Sequence, residues 1–266
     1  MAITTVTGFK AAANRAVTTQ IAKTAIFTSN ATWISLWNTT SFPPQGAIPT
    51  TPAICTKATL GAVPFVYPSS GSLYITEFVA SGIGPAPGPG TLMAYDRLSH
   101  MGGLDATSVG VQTVGLSVPA NRMALSDLSN VGWYVECYVQ LGSTSQTLTI
   151  TYTNTSNVSG TATITIPATM KIGAMLRIVP TIAGDIIQSI ESCQLGGSTG
   201  AVGNFGFTNG IVLAIIKATY NVQTRRMGAL QVGLPTVVDN ACIAFAGMNG
   251  QNTNGVITGS ISLGVG

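Results

Sequence analysis

Val131-Gly132-Trp133-Tyr134-Val135-Glu136-Cys137-Tyr138-Val139-Gln140-Leu141 alternates from end to end. Val131, Trp133, Val135, Cys137, Val139 and Leu141 fall on one side, and Tyr134, Glu136, Tyr138 and Gln140 on the other. This two-residue period is that of a β-strand with one core face. Just downstream, Gln146 to Thr153 repeats it, with Leu148, Ile150 and Tyr152 inward and Thr147, Thr149, Thr151 and Thr153 outward. Thr161 to Ile166 answers with Ala162, Ile164 and Ile166. The turn-rich Asn154 to Gly160 between them predicts a hairpin.

The same texture extends along the chain. Strands are expected near Trp33 to Trp37, Ser72 to Ala80, Gln112 to Val118, Ala174 to Val179, Ile187 to Leu195, Ile211 to Tyr220, Ala241 to Ala246 and Val256 to Leu263. Gly and Pro punctuate them, and no strand–helix–strand alternation appears, which disfavours a parallel sheet. The fold class expected is all-β, an antiparallel two-sheet sandwich of the jelly-roll kind, with a short N-terminal helix or arm. Periodicity leaves the strand order open. The helix is expected over Thr7 to Lys23, capped by Thr7, with Phe9, Ala13, Ala16, Val17 and Ile21 at helical spacing. The domain reading is therefore an arm or helix over residues 1–25 and a single β-sandwich over 26–266. Pro/Gly-rich surface loops are expected at 42–52 and 81–90.

Composition narrows the function. Charged residues make up 7% of the 266 residues, against about 25% in an ordinary domain, while the 45% hydrophobic share is ample for a core. Disorder is excluded. Apolar runs such as Gly210 to Ala218 stop well short of the roughly 20 residues that cross a bilayer, so no membrane partner is expected. The N-terminus has no charged region followed by an apolar core, so synthesis in the cytoplasm is expected. Cys55, Cys137, Cys193 and Cys242 are scattered and read as buried free thiols. The eleven basic residues are dispersed and only Arg225 and Arg226 are adjacent, so no nucleic-acid partner is expected.

Catalytic signatures are sparse. His100, the one histidine, sits near Asp96, Ser99 and Asp105, but no GxSxG elbow accompanies it. Its plainer reading is a hydrogen-bonded residue in a loop after a strand, beside an Asp96–Arg97 polar cluster. Eight acidic residues are spread over the chain. One histidine excludes a histidine-rich metal site, and no DxDxDG, GxxxxGK[ST] or GxGxxG unit occurs. No enzyme activity, cofactor or metal is expected. A surface of hydroxyls and amides desolvates more cheaply than one of Lys and Glu, which suits permanent contact with other subunits. Candidate partner contacts are Phe9, Lys10, Arg15, Val17 and Ile21 of the N-terminal segment, together with Arg225 and Arg226. Two readings of the N-terminal segment stand: an arm docking on a neighbouring protein, or a cover over the domain's own sheet. Arg225 and Arg226 read either as a contact for an acidic patch or as a solvated strand end.

Gly90-Thr91-Leu92-Met93-Ala94-Tyr95-Asp96-Arg97-Leu98-Ser99-His100-Met101-Gly102-Gly103-Leu104, and Gln188-Ser189-Ile190-Glu191-Ser192-Cys193-Gln194-Leu195 leading into Ser198 to Gly206, carry a resemblance. With the Trp133 strand and its Thr-rich hairpin, they resemble a family of virion structural proteins of tailed bacteriophages over roughly residues 70 to 220. The resemblance implies a decoration or cement protein on the capsid surface of the virion, bridging neighbouring capsid subunits. Its implied partners are the major capsid protein and further copies of itself, as a homo-oligomer taken to be a trimer. The alternative is a tail, neck or baseplate protein that binds a receptor, with loop Ser81 to Gly90, Tyr134 and Tyr138 as contact points.

Overall fold

The computed structural model describes residues 3, 5–26, 32–81, 90–218, 225–249 and 254–266. Strand far exceeds helix among them, as the all-β reading requires. In chain order the elements are α1 (Val6–Asn14), β1 (Val17–Ile26), β2 (Trp33–Ser35), β3 (Ser41–Phe42), β4 (Ala53–Ile54), β5 (Leu73–Ser81), β6 (Gly90–Asp105) and β7 (Gln112–Ser117). A 3-10 turn (Leu125–Asn130) leads into β8 (Val131–Val139), β9 (Gln146–Asn154), β10 (Ser159–Ile166), β11 (Ala174–Arg177), β12 (Ile187–Leu195) and β13 (Asn204–Ala218). There follow β14 (Arg225–Gly228), α2 (Ala229–Val232), β15 (Thr236–Val237), β16 (Ile243–Asn249) and β17 (Asn254–Val265).

The chain divides into two compact units. The first comprises Met1–Gly46, Thr56–Asp96 and Leu213–Gly266, and the second Ala47–Cys55 and Arg97–Val212. The second unit is a jelly roll. Counting β6 from Arg97 as its first strand and β13 up to Val212 as its eighth, one sheet runs β6–β13–β8–β11 and the other β7–β12–β9–β10. That is strands one, eight, three and six against two, seven, four and five, the double Greek key of the fold. β4 adds to the free side of β6 at Ser99 and His100. The predicted hairpin is present as β9–β10, Thr153 opposite Ser159 through to Gln146 opposite Ile166.

In the first unit, one sheet runs β14–β5–β17–β1–β3 with β15 also on β5. β2 and the Gly90–Asp96 part of β6 flank β16 in a second layer. The rings of Phe78 on β5 and Phe245 on β16 stack at 6.1 Å between the layers. Helix α1 lies on the opposite face of the larger sheet, where a Cβ added to Gly264 would sit 2.2 Å from the Ala12 carbonyl oxygen. Only glycine permits that approach.

Three sequence expectations need correction. The helix expected over Thr7 to Lys23 ends at Asn14, and its cap is Thr5, whose hydroxyl accepts from the Gly8 N–H at 3.1 Å. From Val17 the chain is strand, paired with β17 over ten residues, Val17 opposite Leu263 through to Ile26 opposite Asn254. Val17, Thr19 and Ile21 satisfy a period of two as well as one near 3.6, and the β-branched run decides for the sheet. Among the described residues, Val6–Asn14 and Val17–Ile26 belong to the first unit. His100, expected in a loop, lies inside the sixteen-residue strand β6. Finally, β8 is buried on both faces rather than one. Segment 47–55 lies against the face that carries Tyr138: the Gly102 N–H donates to the Pro49 carbonyl at 2.7 Å, and Ile48 and the Tyr138 ring crowd the space beside Gly102. The Pro-rich segment 42–52 is irregular and mostly exposed, as expected. Of the 81–90 loop, residues 82–89 lie outside the described residues.

Lys23 is 2% exposed, and its ammonium donates to the carbonyls of Thr39 (2.9 Å) and Pro44 (3.2 Å). Burial lowers it from 10.5 to about 8. The unfolded chain therefore keeps a proton up to its ordinary value that the folded protein releases earlier. Protonation of Lys23 opposes folding below pH 8, and that penalty fades as the pH rises from 8 to 10.5. Across this window the protein should gain stability relative to Lys23→Met, by up to about 3 kcal/mol. Urea titrations of both at about pH 7.5 and about pH 10 read the difference; an unchanged difference contradicts a sealed ammonium.

Candidate functional site

The residues singled out as partner contacts divide in the structure. On α1, Lys10 is exposed and Phe9 half-buried, whereas Ile21 is sealed in the core at 2% exposure. Arg226 is exposed on β14 and pairs with Glu77 of β5. Arg225 occupies the same strand, opposite Ala80. Arg15 and Val17 come together. Arg15 caps α1 at its C-terminus, Val17 opens β1 at 71% exposure, and both line a groove of about 340 Å³. Thr19, Pro64, Phe65, Val66, Leu73, Leu263 and Val265 complete it.

Register builds this groove. Val17 stands opposite Leu263, and Leu73 opposite Val265, so four apolar side chains share the inner face of the sheet where the two layers stop covering one another. Val66, 90% exposed, comes in on the loop after Val63. The expected strand Val256 to Leu263 reaches Leu263 but stops short of Val265, and nothing local in Pro64-Phe65-Val66 marks that loop as a wall. Beyond the groove, β1 has an open side. β3 pairs with it only at Ala22 and Lys23, and among the described residues no strand pairs with Val17–Ile21 there.

The titratable side chains that drew attention in the sequence are held inside. Arg97 and Glu136 are both 0% exposed and form an ion pair at 2.7 Å. The same guanidinium nitrogen donates to Tyr138 Oη at 3.0 Å and lies 2.9 Å from His100 Nδ1, and Tyr138 in turn donates to Glu136 at 3.0 Å. Ser99 does not address His100: its hydroxyl donates to the Ser117 carbonyl at 2.7 Å and accepts from Asn209 Nδ2 at 2.8 Å. Asp96 accepts from the Cys242 N–H at 2.8 Å. These bonds fix strands to one another through a buried polar network. The receptor reading loses two of its contact points, because Tyr134 and Tyr138 are both buried.

A smaller cavity of about 260 Å³ in the second unit lies beside Trp133 and the Gly184–Ile187 turn. Its carboxylate, Asp185, accepts from Tyr152 Oη (2.6 Å) and Asn154 Nδ2 (3.1 Å). Burial and the neighbouring carboxylate push the Tyr152 phenol up to about 12. Asp185 thus ties the turn to β9. All four cysteines are buried and free, and burial raises Cys137 and Cys193 to about 12. Since the thiolate is the reactive form, the native protein should leave a thiol reagent unconsumed and take up four equivalents once denatured. Rapid reaction of the native protein contradicts this packing.

The outer face of β7–β12–β9–β10 is lined by hydroxyls. Thr147, Thr149, Thr151 and Thr153 stand opposite Thr165, Thr163, Thr161 and Ser159. Thr153 and Thr151 also oppose Ser189 and Ser192, which oppose Ser117 and Thr113. Among the described residues, Glu191 is the one ionisable side chain bonded into these rows, accepting from Thr153 Oγ1 (2.9 Å) and Ser189 Oγ (2.5 Å). Beneath them Leu148, Ile150, Tyr152, Ile190 and Cys193 are buried. Cross-strand Thr pairs stabilise a sheet by about 0.2–1 kcal/mol each. The rows also form a broad face without net repulsion.

No protein-family model matches the chain, and no curated protein matches it. Among solved structures, T=1 particles derived from infectious bursal virus align over 94% of this chain and 78% of theirs, at 7% identity and a TM-score of 0.18. A mutant VP2 protein of infectious bursal disease virus, also in derived T=1 particles, aligns over the same shares at 8% identity and a TM-score of 0.18. The Gx strain of that virus gives 10% identity over 94% and 80%, again at 0.18. Scores this low do not establish a shared fold.

Proposed function

We propose that the protein is a structural component of a tailed-bacteriophage virion, a decoration or cement protein that sits on the capsid surface and bridges neighbouring copies of the major capsid protein. The observation that carries this reading is the hydroxyl-lined outer sheet of a jelly roll, a fold recurrent in capsid and lectin domains. Bridging a shell calls for many modest contacts summed over repeated subunits. Hydroxyl rows fit that requirement, because transferring them out of water costs far less than transferring charges. The same face supports self-association into a closed ring, taken here as a trimer.

Counting copies per particle by quantitative mass spectrometry tests the assignment. Decoration of a symmetric shell requires on the order of hundreds of copies, and a dozen or fewer overturns it. A surface variant supplies a second test. Thr149→Lys combined with Thr163→Lys places two cations side by side on the exposed face. Attachment to shells should fall at least about tenfold, as repulsion and desolvation oppose docking, while the melting temperature shifts by only a few degrees. Undiminished attachment removes this face from the interface.

A further inference from the structure

The open side of β1 and the groove next to it lie together in the first unit, and neither is used by the hydroxyl face proposed above. We propose that Val17–Ile21 takes up an extended segment of another protein as an added strand, with apolar side chains of that segment entering the groove and an acidic side chain meeting Arg15. Three observations support the assignment and fix the chemistry of the occupant.

The first is the edge itself. Sheets protect free edges with Lys, Pro, bulges or covering loops. Val17-Thr18-Thr19-Gln20-Ile21 carries no charge and no proline, and it pairs with β17 in uninterrupted register, so among the described residues one side of a regular strand is left ready for main-chain pairing. Added strands bind in this way, with affinity from backbone hydrogen bonds and specificity from pockets for alternate side chains. The second is the groove, which supplies such a pocket. Val17 and Thr19 belong both to the edge and to the groove lining, so a strand laid along the edge places every second side chain on the groove side, next to Val17 and Thr19.

The third is charge. Arg15 is the one charged residue in the groove lining. The first unit holds seven of the eleven basic residues (Lys10, Arg15, Lys23, Lys57, Lys217, Arg225, Arg226) and three acids (Glu77, Asp96, Asp239). Glu77 pairs with Arg226, Asp239 pairs with Lys57, and Asp96 is buried. The first unit thus offers Arg15 no carboxylate among its described residues, and an acidic incoming segment complements it.

A second copy of the chain fits less well. Two β1 edges meeting antiparallel about Thr19 would pair Val17 with Ile21 and stop where β3 holds Ala22 and Lys23. Five residues a side bury far less than the roughly 1,000 Å² of a stable dimer.

The test uses the full-length protein and three labelled nine-residue peptides in fluorescence anisotropy. One alternates Val and Thr and carries an Asp near one end; the second replaces that Asp with Lys; the third is the first with alternate backbone nitrogens methylated. The Asp peptide should bind at least about tenfold more tightly than the Lys peptide, and Arg15→Glu should reverse that preference. Arg15 is exposed, so the variant keeps the fold, which circular dichroism verifies. The methylated peptide should lose binding at least about tenfold, because it keeps the side chains but cannot complete the ladder. Equal binding of the methylated peptide overturns strand addition, and failure of the Asp peptide to bind overturns the site. Self-association that Arg15→Glu changes shows a second copy as occupant and overturns the stated partner. None of these outcomes depends on copy number in a particle, so this proposal and the virion reading fail separately.

Discussion

Glu136→Gln should reduce the unfolding free energy by about 3–5 kcal/mol, the usual result of leaving one member of a buried ion pair without its counter-charge. Glu136 and Arg97 are both fully buried, and the Glu136 carboxylate also accepts the Tyr138 hydroxyl, so the substitution weakens two bonds and leaves the guanidinium uncompensated. The loss reflects desolvation: water cannot reach Arg97 to replace the missing charge. The double variant Arg97→Met, Glu136→Leu removes both charges, and apolar pairs of similar volume often replace a buried ion pair at little loss. It should recover most of the stability, within about 1–2 kcal/mol of wild type after allowance for Tyr138 and His100. Urea denaturation followed by far-ultraviolet circular dichroism gives all three values. A single variant within about 0.5 kcal/mol of wild type contradicts the sealed pair, and a double variant as damaged as the single shows that hydrogen bonding rather than charge dominates.

Gly206→Ala should be as disruptive, by a different route. A Cβ at Gly206 falls 1.9 Å from the Met101 carbonyl oxygen and 2.6 Å from Gly102 Cα. Both obstacles are backbone, so no rotamer change relieves the overlap. β13 and β6 are the pairing that joins the last strand of the jelly roll to its first, and they must separate to admit one methyl group. Overpacking of cores typically costs about 1–3 kcal/mol, and a clash with main chain on both counts belongs at or above the top of that range. Gly110→Ala is the control, since the nearest atom to a Cβ there is the Ser108 hydroxyl at 3.8 Å; it should change stability by less than about 0.5 kcal/mol. Thermal melts of the two variants read the contrast, and equal melting temperatures overturn it.

Much of the architecture was legible in the alternation of side chains. β8, β9, β10 and β12 fall within two residues of the expected spans, because each carries a clean period of two. The errors lie where one pattern admits two readings or polar residues interrupt it. Val17 to Ile21 satisfies helical and strand spacing together, and only β17, more than two hundred residues away, settles the choice. β6 escaped because Asp96, Arg97, Ser99 and His100 look like a loop, yet all four are buried. Asp96 accepts from the Cys242 N–H just before β16, Arg97 meets Glu136 and Tyr138 of β8, and Ser99 meets Asn209 of β13, all remote in sequence, while His100 lies against Arg97 of its own strand. The groove was half visible: Arg15 and Val17 were singled out, while Phe65 and Val66 enter from a loop with no local signature.

Composition and periodicity by themselves determined that this chain folds as antiparallel β-structure with a charge-poor, hydroxyl-rich surface, because both depend on side-chain identity and on spacing within a few residues. Tertiary structure alone decided that eight of the strands wind as a jelly roll, that the polar residues of β6 and β8 face one another in the dry interior, and that an edge of β1, unpaired over Val17–Ile21 among the described residues, adjoins an apolar groove. Those outcomes rest on pairings between residues tens to hundreds of positions apart, and a side chain's neighbours across such distances are set by the closure of the whole sheet rather than by any local run of sequence.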